Sequence, residues 1–389
     1  MDLVASFEKT YSTGPVVIAK APGRVNLLGE HVDYNDGLVL PAAIDRKVSL
    51  AAAPDTAGVV SLYALDLDER ASFRLDALES KVGQDGKPLP GWALYPAGVA
   101  RELSNAGYSV SGAKVAFSSN VPIGSGLSSS AAIEVGFAML WQGLGGWQMD
   151  KLEAARLCQR AENAYVGVAC GLMDQFASAC GVAGHALYFD TRSLEWQPVP
   201  LPSDTALVIA DSGVRRSLTS SAYNERRAAC EQAIEKLRQF LPDLRSLRDI
   251  SPIEFAAYSS YLPPTIRKRA EHVVKEIARV QSAVSALRRD DIRSFGALMF
   301  AGHASLRNLY EVSTPELDAL VDIARDLPGC IGARLTGAGF GGCIINLVEE
   351  SQADQFIQGL AEKYTEVSGR DAQVYLCHAS AGASVEKLL

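Results

Sequence analysis

The chain has 389 residues, with 48% apolar and 21% charged content, which is ordinary for a soluble globular protein and enough for about two hydrophobic cores. Its net charge of −8 runs against a nucleic-acid binder, which carries a basic face. No run of about 18 apolar residues occurs, so no membrane span is expected, and "MDLVASFEKTYSTG" lacks the basic start and apolar core of a secretory leader.

In chain order, "PVVIAK" (15–20) reads as a strand running into a loop, "APGRVNLLGEHVDYNDG" (21–37), which gathers Arg24, Glu30, His31, Asp33 and Asp36. Strands are expected at 47–54 and 59–65, a helix at 91–104 and a strand at 113–121. A Gly/Ser-rich turn follows, then a helix with Ile133, Phe137, Leu140 and Leu144 at helical spacing. Its other faces are apolar too, which predicts deep burial. Further helices are expected over 149–168 and after Gly171. Pro198, Pro200 and Pro202 mark a break at 185–205 that reads as an interdomain link. A strand restarts at 205–213, and helices dominate 219–327. Residues 333–350 read strand, glycine loop, strand, before a helix at 351–367 and a final strand at 372–378. Without strict strand–helix alternation, this order predicts two α+β domains, 1–195 and 196–389.

Seven scattered cysteines form no CxxC pair, and five histidines form no HExxH or HxH spacing. This argues against a zinc or disulfide framework. The cysteines are expected as small buried residues in a reducing cytoplasm.

Two glycine loops stand out. "NVPIGSGLSSSAAIEV" enters from a strand and leaves into the buried helix. Gly124 and Gly126 permit close backbone approach. Ser128, Ser129 and Ser130 sit where the helix begins, a place suited to an anion, most often phosphate. It is neither a Walker A loop nor a nucleophile elbow, and a capped helix after a tight turn remains the competing account. "TGAGFGG" (336–342) satisfies GxGxxG, but a strand follows it, so a dinucleotide fingerprint fails on context. A loop that approaches and supports another element is the better account.

Two acids stand where core is expected. Between Glu162 and Asp190, Asp174 is the only Asp, Glu, Lys or Arg. Glu162 shares a predicted helix face with Ala155, Cys158, Tyr165 and Ala169. Burying an ionised carboxylate is costly unless it is paired. Each acid is either structural or part of a site, and their closeness to a phosphate-type loop favours the site.

The motifs "GRVNLLGEHVDY", "PIGSGLSSSAA", "GVACGLMDQF", "VRRSLTSSAYNERR" and "LTGAGFGGC" resemble, in the same order, those of the galactokinase branch of the GHMP small-molecule kinases. The resemblance covers essentially the whole chain. It implies an N-terminal domain like ribosomal protein S5, a ferredoxin-like C-terminal domain and an active site between them. It also implies transfer of phosphate from ATP, with Mg2+, to the anomeric hydroxyl of a sugar, most often galactose. Arg24, Glu30, His31, Asp33, Gly171, Asp174 and Tyr223 are implied as sugar-site residues, with Asp174 as the base and Arg24 as its charged neighbour. Ser130 and Glu162 are implied as magnesium ligands. Gly124, Ser125, Gly126, Leu127, Ser128, Ser129 and Ser130 form the implied phosphate loop, with Trp92 and Tyr95 near adenine. Carboxylates and an imidazole suit a sugar, whose hydroxyls both donate and accept. Val32 and Asp36 depart from the frequent threonine and glycine of the first motif and bear on the sugar rim. A kinase for N-acetylgalactosamine or arabinose, or a sugar sensor without turnover, is the alternative. No nucleic-acid or membrane partner is expected, and oligomeric state is left open.

Overall fold

The computed structural model describes residues 2–122, 124–215 and 219–388. Ile123 of the first glycine loop and residues 216–218 of "VRRSLTSSAYNERR" lie outside the described residues.

The first half is built on a six-stranded sheet in the order Ser384–Lys387, Val17–Asn26, Pro41–Asp55, Gly112–Ser119, Val59–Ala64, Glu69–Arg74. Its pairs are antiparallel except Val59–Ala64 against Gly112–Ser119. The helix Ser129–Gly145 packs on this sheet. Ala131, Val135, Phe137, Leu140 and Trp141 are all fully buried, so the helix that follows the glycine loop is apolar all round because it is enclosed all round. The second half centres on an antiparallel sheet, Cys330–Leu335, Cys343–Glu349, Thr205–Asp211, Gln373–Cys377. Helices Ile292–Ser305, Pro315–Arg325 and Ala353–Ser368 pack on it. A small sheet of Leu38–Val39, His185–Asp190 and Trp196–Pro200 meets the long helix Pro264–Arg288, which thereby braces both halves.

Several expectations need correction. The first six residues of the stretch read as a loop from residue 21 are strand: Val17–Asn26 runs on into it with a bulge between Pro22 and Arg24. Small and β-branched residues there pair fully with Pro41–Asp55, and pairing outweighs the Pro and Gly. The break at 185–205 is a hairpin, with Pro198 and Pro200 on its outer strand, where proline is tolerated, and Pro202 just beyond it. The helix expected over 149–168 is α-helical over Lys151–Arg160 and π-helical over Ala161–Val166. The helix stops at Val166, capped by Gly167 in a left-handed conformation, so Ala169 lies beyond it and exposed rather than on the Glu162 face. The strand at 373–377 is not the last. Ser384–Lys387 returns to the first sheet and pairs with Val17–Lys20.

Candidate active site

A cavity of about 650 Å³ opens between the first-half motifs and the third glycine motif. Arg24 enters from strand Val17–Asn26. Its backbone N–H donates to Leu127 O at 3.1 Å, and its Nη1 donates to Gly126 O at 2.6 Å, so strand and glycine loop are tied at one residue. Its other donors reach Asp174: Nε to Oδ1 at 2.7 Å and Nη2 to Oδ2 at 2.5 Å. Asp174 lies in the first turn of helix Met173–Cys180 and also accepts from the Ser128 hydroxyl. The carboxylate that stood alone in sequence is thus held by two segments far from it in the chain, while 27% of its side chain faces the cavity. Ser128 holds a left-handed backbone, φ 58°, and His31 does the same at 62°. Such conformations concentrate where surrounding structure imposes them, commonly at sites.

Glu30 is 3% exposed, and its Oε2 accepts from Arg334 Nη2 at 2.9 Å. Burial pushes its carboxyl up to about 7, against the pull of Arg334 and Arg24. Asp33 is pushed up to about 6, mainly by burial and then by Asp174. Gly171 makes room for it: a Cβ there would lie 1.8 Å from Asp33 Oδ2. His31 Nε2 meets Ala338 O at 3.2 Å, and Nδ1 meets Tyr34 Oη at 2.9 Å. A carbonyl only accepts, so Nε2 carries the proton and Nδ1 accepts from Tyr34, which in turn bonds Tyr310 Oη at 2.8 Å. His31 therefore lines the cavity with its ring while its nitrogens tie the first motif to the third. Tyr223 lies nearby, its ring 5.6 Å from that of His31 and tilted against it, and burial pushes its hydroxyl well above the usual range.

At the other end, Gly124 and Gly126 take positive φ, 71° and 89°, and deliver Ser128, Ser129 and Ser130 to the cavity at the start of helix Ser129–Gly145. Orphan backbone N–H groups and the positive helix end collect there. Ser125 and Leu127 turn inward: the Ser125 hydroxyl donates to Pro122 O at 2.7 Å, and Leu127 is buried in the core. Ser130 hydrogen-bonds Glu162, whose carboxyl is raised mainly by burial. Gln175 Nε2 donates to Glu162 Oε2 at 2.6 Å and to Glu134 Oε2 at 3.0 Å. Glu134 is fully buried, its Oε1 has no partner among the described residues, and its carboxyl is raised well above the usual range, first by burial and then by Glu162. Hard oxygen donors at Ser130 and Glu162 suit Mg2+, which binds through few protein ligands and completes its shell with phosphate oxygens and water.

Trp92 and Tyr95 do not line this cavity. The Trp92 indole donates to Glu69 Oε2 at 2.6 Å. Tyr95, on the same helix, is near enough to Glu162 and Glu134 to feel their charge, and burial chiefly pushes its hydroxyl up to about 12. Val32 is fully buried, and Asp36 pairs with Arg192 at 3.2 Å, so neither departure from the first motif lines the cavity. Sequence reading missed Arg334, Glu276, Glu134, Tyr34 and Arg215. Arg334 had one usable signal, a guanidinium near the end of the strand that runs into the glycines of "ARLTGAGFGG". The third loop supports its neighbours as expected: Phe340 N donates to Val312 O at 2.7 Å and Gly342 N to Val214 O at 3.1 Å.

A turn suited to phosphate and a fixed acid held beside it, in a cavity that the third glycine motif of the second half also lines, make phosphoryl transfer to a small hydroxylated molecule the chemistry in reach, on a GHMP-kinase fold. Family models agree: the galactokinase galactose-binding signature matches residues 5–54, the GHMP kinase N-terminal domain 95–182 and the GHMP kinase C-terminal model 283–366. The galactokinase of Roseiflexus sp. (strain RS-1) is 46% identical over 381 residues, 98% of this chain and 96% of that one. That of Chloroflexus aurantiacus is 43% identical over 382 residues, with the same coverage of both chains. The crystal structure of Lactococcus lactis galactokinase complexed with galactose superposes with a TM-score of 0.92 at 35% identity, covering 99% of both chains. A mevalonate kinase at 21% identity shares the fold, with a TM-score of 0.64. The chain belongs to the galactokinase family.

Proposed function

We infer that the protein transfers the γ-phosphoryl group of ATP to the anomeric hydroxyl of galactose, giving galactose 1-phosphate and ADP. One observation carries the reading. The carboxylate of Asp174, fixed by Arg24 and Ser128, stands where the acid-lined end of the cavity meets the glycine/serine turn.

Galactose would lie among Arg24, Glu30, His31, Asp33, Gly171 and Tyr223. Carboxylates there accept from ring hydroxyls, and a sugar lacking a hydroxyl, or presenting it on the other face, leaves a buried acceptor unpaired. Such a loss can discriminate by up to about 10⁴–10⁵-fold. Asp174 takes the proton as the O1–H bond breaks, O1 bonds phosphorus, and the P–O bond to ADP breaks. Catalysis is otherwise positioning and charge stabilisation. Arg24 holds Asp174 in both oxygens, so the acid cannot turn away from the hydroxyl. The turn over Gly124, Gly126 and Ser128–Ser130 would hold phosphate oxygens on backbone N–H groups, with Trp92 and Tyr95 of helix Gly91–Asn105 on the adenine side. Ser130 and Glu162 would hold Mg2+, which neutralises charge on the transferring phosphate when bound. The seven free thiols suit a reducing cytoplasm.

The test is ADP release over a panel of monosaccharides with and without magnesium. Magnesium-dependent release with galactose, and far slower release with its C4 epimer glucose, is expected. Equal rates with both sugars would overturn the specificity, and no release with any sugar would overturn the reaction.

A further inference from the structure

We propose that Arg334 is a positioning residue for sugar recognition: it reaches from the second-half sheet to fix the Glu30 carboxylate, and is itself braced by Glu276 of the long helix. The proposal rests on the reading of Glu30 as a sugar-binding acid.

The geometry is a buried chain of charges behind the cavity wall. Arg334 is fully buried at the end of strand Cys330–Leu335, one residue before the third glycine motif. Its Nη2 donates to Glu30 Oε2 at 2.9 Å, and its Nη1 lies 3.8 Å from Glu276 Oε1. Glu276, also fully buried, accepts from the backbone N–H of Gly29 at 2.9 Å through the same Oε1 and pairs with Arg279 through Oε2. Residues 29 and 30 are thus held together, one by its backbone and the other by its side chain, from two elements of the other half. Glu30 lines the cavity, and its Oε1 makes no hydrogen bond among the described residues. One oxygen is spent on orientation and the other is left for a hydroxyl.

The cost of this arrangement argues for a role. Arg334 Nε and Nη1 have no hydrogen-bond partner among the described residues, although a guanidinium carries five N–H donors. A buried pair so sparsely satisfied adds little stability compared with apolar residues of the same volume. What it supplies is direction: a rigid planar fork fixes a carboxylate where a lysine could only attract it. Charge matters as well. Facing Glu30 are Arg24 from the first strand, Asp33 and His31 from its own loop, Asp174 from helix Met173–Cys180, Arg334, and His272 from the long helix. The His272 Nε2 bonds Glu30 O at 3.1 Å, and burial holds its ring well below the usual range, so it brings no charge. Of the two cations drawing Glu30 back toward its ionised form, Arg334 has the larger effect.

The experiment compares Arg334→Gln, Arg334→Lys, Glu30→Gln and the double variant Arg334→Gln/Glu30→Gln by steady-state kinetics across pH. For Arg334→Gln, kcat/KM for galactose should fall by up to about 10²-fold, the scale of a misplaced contact. The fall should lie chiefly in KM, with KM for ATP unchanged. The acidic limb of the pH profile should move to higher pH, because Glu30 holds its proton longer. Arg334→Lys should recover the pH limb more than the KM. In the double variant the arginine change should cost nothing beyond Glu30→Gln alone. Losses that multiply in the double variant, or equal rises in KM for galactose and ATP, would overturn the proposal while leaving the function intact. A Glu30→Gln enzyme with unchanged galactose KM would instead overturn the reading of Glu30, and the proposal with it. Should Arg334→Gln fail to fold, Arg334→Lys decides: a cooperatively melting enzyme with wild-type galactose KM overturns the proposal.

Discussion

At the acid-lined end of the cavity, the side chains arrive from separate segments: Arg24, Glu30, Asp33, Asp174, Tyr223 and, behind them, Arg334. The other end is one contiguous turn whose backbone is bent open by Gly124 and Gly126. The difference fits the ligands proposed for the two ends. A phosphate is a compact anion that any set of convergent N–H groups can hold, so a local sequence suffices. A sugar differs from its epimers only in where hydroxyls point, so its acceptors must be fixed in space, and fixing them takes charge pairs drawn from the whole fold. Asp174 is where the two schemes meet, because Arg24 of one end and Ser128 of the other hold the same carboxylate.

The largest expected effect breaks that meeting point. Asp174→Asn should lower kcat by about 10²–10⁴-fold, the usual contribution of general-base catalysis. It should also lower the melting temperature, because Arg24, only 4% exposed, loses the charge opposite it. Activity per folded molecule, measured below both melting points, separates the two losses. A folded variant with near wild-type kcat would remove Asp174 from the chemistry.

A pair of smaller substitutions sharpens the contrast between the ends. At Gly171 a methyl group would lie 1.8 Å from Asp33 Oδ2, so Gly171→Ala must displace that acid. KM for galactose should rise by up to about 10²-fold, with KM for ATP unmoved. Ser130→Ala, which removes the hydroxyl bonded to Glu162, should do the opposite. The magnesium concentration for half-maximal rate should rise by about 10–100-fold, the usual range for groups that support a metal site, with galactose affinity kept. If either substitution moves both constants together, the two ends are not separate.

The same contrast explains what could be read from the sequence. The glycine/serine turn, its strand and its helix were legible because everything they need is local: turn residues, a β-branched run, an apolar helix. Asp174 and Glu162 were legible as oddities, charges amid apolar neighbours. Their partners were not. Arg24 and Asp174 are 150 positions apart and Glu30 and Arg334 are 304 apart, and nothing in a propensity or a period encodes a pairing at that distance. The strand character of the first motif was missed for a related reason. Its Pro and Gly argued for a loop, while the deciding ladder with Pro41–Asp55 is tertiary. The π-turn at Ala161–Val166 was invisible because its sequence is equally good α-helix.

The smallest expected effect asks whether the acid-lined end carries a cost in stability. Asp33 holds its proton up to about pH 6 in the folded protein, against 3.8 for an unperturbed side chain, because the fold removes water and sets Asp174 beside it. Between those values the native state binds more protons than the unfolded state, so stability declines as pH rises through the window, and the whole cost is present above it. Asp33→Asn removes that titration. The variant should melt higher than wild type at pH values above about 7, by a few degrees, because the side chain still reaches solvent through the cavity. The gap should close below about pH 4, where both side chains are neutral. Galactose affinity should fall at the same time, since half of the amide donates where the carboxylate only accepted. A variant that melts with the same offset from wild type at both pH values would mean that Asp33 is not a desolvated acid. One that melts higher and binds galactose as well as wild type would mean that its burial serves something other than the sugar.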